Sequence, residues 1–304
     1  MTVPYGAESR RVDLDGLRIR YLVAGDDRED SPGRRDRSDG TQDPVIVLLH
    51  GGGLDGASLS WREVLPALAK DFAVVAPDLP GYGESDPPER TPTTDYYVRV
   101  LERFLPAVGV ARPVLVGASM GGGVAVGYAL AHPDDVAALV AVDSYGLGGT
   151  VPGGPLGALF VRIPRLSELS WRAVARSRTV AYFSVRAVVA YGNVSPALVD
   201  EVFAEARRND GSAWRRFQRA EIGLRGPKTN YVDSLPDLSV PTLFIHGEDD
   251  GLVPHAWSVR AGSLVPDSEV RILPNCGHWP SREEPDRVNA LIRLFLQSNM
   301  PVDM

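Results

Sequence analysis

A single cysteine, Cys276, occurs in 304 residues. A lone thiol forms no internal disulfide, so a disulfide scaffold and a cysteine zinc cluster are both excluded. Basic residues are also in deficit, with 39 Asp and Glu against 32 Lys and Arg. A dedicated nucleic-acid binder needs a basic face to neutralise phosphates, and this balance argues against one. No apolar run reaches membrane-spanning length, and residues 1–11 lack the apolar stretch of a secretory signal. Yet 44% of residues are hydrophobic and 23% charged, enough for a sizeable core. The expectation is a soluble, cytoplasmic protein with neither nucleic acid nor membrane as a partner.

Around Asp15-Gly16 the stretch from Arg11 to Val23 alternates in period two, the mark of a β-hairpin. Residues 26–43 are Asp, Arg, Ser and Gly with almost nothing apolar, which predicts a mobile surface loop. Continuous short apolar runs follow: Val45 to Leu49, Phe72 to Ala76, Val114 to Val116, Ala137 to Val142, Thr242 to Ile245 and Val270 to Leu273. Runs without alternation suit strands covered on both faces, as in a parallel sheet. Helical patterns lie between them, from Trp61 to Lys70, Asp95 to Val108, Met120 to Ala131 and Glu283 to Gln297. This order predicts a doubly wound, mostly parallel α/β sheet entered through a hairpin. The interval 144–235 breaks the alternation, its clearest helices running from Asp200 to Arg208 and from Ser212 to Ile222. It is too long for a loop and is expected to be a helical cap, inserted in a core of 1–143 and 236–304.

The strongest chemical signal is Gly117-Ala118-Ser119-Met120-Gly121, where a buried strand runs straight into a helix. A sharp strand-to-helix turn exposes a serine Oγ, and small neighbours relieve the crowding of nearby backbones. Ser119 would sit at a helix N-terminus, where free N–H groups favour developing negative charge. Gly123 and Gly127 would let that helix approach the sheet closely. Neither a metal-ligand spacing nor a dinucleotide fingerprint is present, so no metal or cofactor is expected.

Five segments occur in order: His50-Gly51-Gly52-Gly53, Pro77 to Ser85, Gly117 to Gly122, Gly247 to Pro254 and Cys276-Gly277-His278-Trp279. Together they resemble the α/β-hydrolase superfamily across nearly the whole chain. A serine hydroxyl needs a base, for which histidine is suited near neutral pH. Of five histidines, His50 and His246 end buried strands and read as structural. His132 reads as a surface cap, and His255 lies at a loop-to-helix start. His278 follows the last strand, where the superfamily places its base. The same resemblance points to Asp250 as the acid, with Asp249 and Asp143 as rivals. It implies an oxyanion hole from the N–H of Met120 and that of Gly52 or Gly53. Asp78, Gly81 and Gly83 suggest a loop-shaping turn, and Cys276 a packing residue. Trp279 either lines the acyl pocket or packs beneath the histidine loop.

A serine at the elbow counts against dehalogenases and epoxide hydrolases, which use aspartate there. The expected activity is hydrolysis of a small ester or lactone through an acyl-enzyme. Several fragments also resemble the hydrolases that split carbon–carbon bonds in aromatic ring-cleavage products. After the glycines, however, the chain reads Leu54-Asp55-Gly56-Ala57, not that branch's Gly-Pro-Gly-Ala. A hydrolase-like receptor is the remaining alternative. Arg162, Arg165, Arg172, Arg176, Arg178 and Arg186 stud the insertion; most read as solvated faces, with one or two available to meet an anionic substrate.

Overall fold

The computed structural model describes residues 3, 4, 6–25, 45–150, 154–190, 192–223 and 226–300, so the loop expected over 26–43 lies outside it. Strand β1 (Glu8–Leu14) turns back into β2 (Leu17–Ala24) through Asp15 and Gly16, at φ 52° and 92°. Two successive positive φ values are what a tight hairpin turn needs, and Gly16 accommodates one without strain. There follow β3 (Ile46–Leu49), β4 (Val74–Pro77), β5 (Val114–Ala118), β6 (Ala138–Val142), β7 (Thr242–Gly247) and β8 (Ser268–Leu273). They form one sheet in the order β1-β2-β4-β3-β5-β6-β7-β8. The β1–β2 and β2–β4 pairs are antiparallel and every other pair is parallel.

Alternate residues of each strand feed two cores. Val47, Leu49, Leu115, Leu139 and Phe244 face one side, packed against helices α1 (Thr94–Ala107) and α2 (Met120–Ala131). Ile46, Leu48, Val114, Val140 and Ile245 face the other, covered by Val64, Leu65 and Leu68 and by a C-terminal helix. Prolines explain two boundary differences from the predicted helices. The helix expected from Trp61 to Lys70 is broken into Ala57–Ser60 and Val64–Leu68, which places Pro66 in a first turn. There its missing N–H costs nothing. Likewise the helix expected from Glu283 splits into Pro280–Glu283 and Pro285–Asn299, each starting on proline.

Between β6 and β7 lie α3 (Gly154–Arg162), α4 (Pro164–Arg176), α5 (Arg178–Arg186), α6 (Pro196–Arg208) and α7 (Ser212–Glu221). One feature of this interval departs from the sequence pattern: Ile222–Gly223 pairs with Gly226–Pro227 as a two-stranded ribbon. The insertion has its own small core of Val174, Val185, Leu198 and Val202, joined by Leu59 and Trp279 from below. After β7 comes α8 (Ala256–Leu264), and the C-terminal helix Pro285–Asn299 is α9. Chain order reverses at β3, which has β4 on one side and β5 on the other. A crevice opens at such a switch point beyond the strand ends, and ligands bind there in open α/β sheets.

Candidate active site

Ser119 lies at the β5–α2 junction with φ 49° and ψ −114°, a strained conformation for a residue with a Cβ. The turn is held by its N–H donating to Val142 O and by its own carbonyl accepting from Gly123 N and Tyr145 N. The flanking glycines are steric necessities. A Cβ on Gly117 would stand 2.3 Å from Gly121 O, and one on Gly121 would stand 2.3 Å from Leu49 O. Gly121 therefore brings α2 against the sheet. Gly123 and Gly127, expected to do so, instead admit Tyr145 and Tyr231.

The Ser119 hydroxyl donates to His278 Nε2 at 2.9 Å, and His278 Nδ1–H donates to Asp250 Oδ2 at 2.6 Å. Asp250 Oδ1 accepts from the N–H groups of Leu252 and Val253 at 2.7 and 2.9 Å. Its other oxygen also accepts from His246 Nε2–H at 3.0 Å. Burial disfavours charge on this carboxyl, but the hydrogen bonds from His246, His278 and Val253 outweigh it and hold Asp250 well below the usual range. Asp250 is thus a carboxylate throughout the physiological range.

The rivals are placed elsewhere. Asp249 is exposed. Asp143 is buried at φ 44°, with Oδ1 accepting Gly247 N–H at 2.9 Å and Oδ2 without a partner. Its carboxyl, Asp250 and His278 lie within 4.8 Å of one another. Burial pushes the Asp143 carboxyl well above its usual range; His246 opposes the rise and Asp250 adds to it. Burial thus works against a second negative charge beside Asp250.

His246 is wholly buried, with Nδ1 accepting from Ser258 Oγ at 2.7 Å. The sequence assigns it a structural part, and its spacing of four before Asp250 is the signal that links it to the acid. Glu283 carries no such signal. Its Oε2 accepts from Gly277 N, Ala190 N and Asn193 Nδ2, and its Oε1 from Trp279 N. One carboxylate thereby ties both neighbours of His278 to the insertion. His278 N–H itself donates to Val188 O at 2.8 Å.

On the β3 side, buried Asp55 accepts from Gly51 N and Ser60 Oγ on Oδ2 and from Gly56 N on Oδ1, fixing the glycine loop. The Gly53 N–H faces the Tyr82 hydroxyl. Gly52 and Gly53 both line the first cavity with Ser119, and Met120 opens α2 directly after it. A Cβ on Gly52 would meet Trp214 Cζ3 at 2.2 Å, so glycine there lets the α7 indole close over the loop. Asp78 accepts from Ala57 N, Glu84 N and buried Arg20, which shapes the neighbouring turn. His50 bridges Gly51 O and Leu79 N. Cys276 is buried, and burial raises its thiol far above the usual range.

Two cavities meet at Ser119, His278, Trp214 and Leu252. The first, about 260 Å³, continues over Gly51–Asp55 to Val185, Val188, Val202 and Trp279. The Trp279 Nε1–H donates to Ser60 Oγ at 3.2 Å. The second, about 270 Å³, runs past Met120 to Tyr145, Phe160, Val161, Phe217 and Trp257. Neither is lined by any lysine or arginine among the described residues. The six insertion arginines are exposed instead.

A mostly parallel sheet with a serine at its central elbow, hydrogen-bonded through histidine to aspartate, defines a hydrolase of the α/β class. The chain matches the model of the α/β-hydrolase fold over residues 44–285, and it belongs to that family. It is 30% identical to a 2-hydroxy-6-oxo-6-(2'-aminophenyl)hexa-2,4-dienoic acid hydrolase of Metapseudomonas resinovorans, over 91% of this chain and 87% of the relative. It is 32% identical to 2-hydroxy-6-oxononadienedioate/2-hydroxy-6-oxononatrienedioate hydrolase 1 of Dechloromonas aromatica, over 83% and 86%. Among solved structures, a serine hydrolase involved in carbazole degradation superposes with a TM-score of 0.74 at 27% identity, covering 96% of this chain and 99% of that one.

Proposed function

We propose that this hydrolase cleaves an uncharged, largely apolar ester or lactone through an acyl-enzyme on Ser119, without metal or cofactor. Ser119 Oγ attacks the carbonyl carbon as its proton passes to His278 Nε2. The N–H groups of Met120 and Gly52 receive the oxyanion, and Asp250 stabilises the imidazolium. On collapse, His278 returns the proton to the leaving alkoxide. A water then attacks the acyl carbon, losing its proton to the same nitrogen, and the acid departs.

The lining of the two cavities carries the substrate assignment. Among the described residues, the ionisable side chains that line them are Asp55, Tyr145 and His278, so a carboxylate held in either one meets no lysine or arginine there. An unpaired buried charge costs several kcal/mol, and each ~1.4 kcal/mol is tenfold in affinity. The relatives named for dienoic acids favour a second reading, carbon–carbon hydrolysis of such an acid. Comparing kcat/KM for p-nitrophenyl esters, a lactone and a ring-cleavage dienoate separates the two. The neutral ester should lead by about a hundredfold or more, and all turnover should vanish in Ser119→Ala. A dienoate preferred over every ester would overturn the assignment.

A further inference from the structure

Exposed apolar side chains gather on one part of this molecule. Among the described residues, eleven large hydrophobic side chains are exposed, and eight of them lie within α3 to α5 and the short link between the first two of these helices. On α3, Leu156, Leu159 and Phe160 recur at three- and four-residue spacing, which makes a single stripe, and Ile163 follows in the link to α4. On α4, Leu166 and Leu169 stand away from the buried Ser167, Trp171 and Val174. Tyr182 and Phe183 extend the surface onto α5. An apolar area gathered like this marks a contact surface.

Charge identifies the occupant. Residues 154–187 hold six arginines, all exposed, and one acid, Glu168, in a chain whose net charge is −7. Arg172 pairs with Glu168 and Arg178 with Asp200. Even counting both acids, the face remains basic. A second copy of the chain meeting this face by two-fold symmetry would set arginine against arginine. An apolar stripe bordered by arginine instead suits a surface that is apolar within and anionic at its edge. The face also continues into the site: Phe160 is 44% exposed on it while lining the second cavity with Gly157 and Val161 of the same helix.

We propose that α3 and α4 rest on an anionic lipid surface, so that apolar substrate reaches Ser119 along Phe160. Among the described residues no helix is long and apolar enough to cross a membrane, so this contact is peripheral. It departs from the sequence-based expectation of no membrane partner, which rested on the lack of a spanning segment. Substrate entry rests on the hydrolase reading, whereas lipid contact is tested without turnover.

The test is sedimentation of the full chain with phosphatidylcholine vesicles, with and without phosphatidylglycerol, at low and high salt. Wild type should bind the anionic vesicles at least about tenfold more tightly than neutral ones, and salt should weaken that preference. Leu156→Glu/Leu159→Glu should abolish binding, and Arg165→Glu/Arg176→Glu should remove the preference for anionic lipid. Both variants should hydrolyse a short soluble ester at the wild-type rate, a control that fails separately if the hydrolase reading is wrong. Absence of binding to anionic vesicles would overturn the proposal, as would binding indifferent to both variants. So would a dimer that Leu156→Glu/Leu159→Glu dissociates, which would assign the face to a second copy.

Discussion

At the strand ends, each group in the Ser119–His278–Asp250 chain is fixed by hydrogen bonds from short loops. Across the crevice, the insertion contributes walls: Val185, Val202 and Trp214 on one side of Ser119, Phe160 and Phe217 on the other. Directional bonds set atoms to fractions of an ångström, as proton transfer requires. Apolar packing sets only shape and volume, which suffices to choose a substrate. The two halves should therefore respond differently to substitution, strand-end changes altering kcat and insertion changes altering KM and substrate range.

The largest effect is expected at Ser119. Ser119→Ala removes one oxygen from an exposed turn and should leave the fold intact while turnover falls by roughly four powers of ten or more. Retention of a tenth of the wild-type rate would mean another nucleophile. Asp250→Asn should follow, with kcat lowered about 10⁴-fold because the amide no longer selects the Nδ1–H tautomer of His278. An unchanged Tm would show that the loss is one of orientation.

Glu283→Gln tests the seam between the halves. The amide has one acceptor oxygen where the carboxylate serves four N–H donors, so buried donors lose partners at about 1–3 kcal/mol each. A lowered Tm and about a tenfold lower kcat are expected, against a near-normal KM for a small ester. A variant changed only in KM would place Glu283 with the insertion alone.

Glu205 offers a pH handle on the same seam. Burial, followed by the charges of Asp78 and Asp55, raises its carboxyl to about 7 from the ordinary 4.5. Between those values the folded chain binds more protons than the unfolded chain, so stability falls as pH rises. The penalty is complete above pH 7, at about 3 kcal/mol. Glu205→Gln should consequently gain Tm over wild type from pH 5 to pH 8. A gap that stays constant with pH would contradict the assignment.

The smallest effects separate the rival acids. Asp143 makes no hydrogen bond to His278, its Oδ1 accepting from Gly247 N–H and its Oδ2 having no partner, so Asp143→Asn should lower kcat only a few-fold. Asp249→Asn, on an exposed side chain, should be silent. A collapse in Asp143→Asn with a mild Asp250→Asn would exchange their parts.

The same contrast explains what the sequence made legible. Strands β3 to β7 stand out because burial on both faces forces continuous apolar runs, and Ser119 because its turn tolerates only glycine at 117 and 121. Helix ends near Pro66 and Pro285 were blurred because apolar periodicity continues through a proline that sits in a first turn. Trp214 left no local signal, since its part arises from a glycine 162 positions earlier in the chain that admits the indole. The insertion arginines read mostly as solvated faces, although helical spacing alone does not say which face of an insertion looks inward. All six face outward.

The most direct test of the account is to trap the acyl group. Wild type should be mixed with a p-nitrophenyl ester, quenched in acid within the first turnovers and digested for peptide mass analysis. The account predicts one acyl adduct, on the peptide carrying Ser119, accumulating when deacylation is the slower step and absent from Ser119→Ala. An adduct on any other residue, or its persistence in Ser119→Ala, would contradict it.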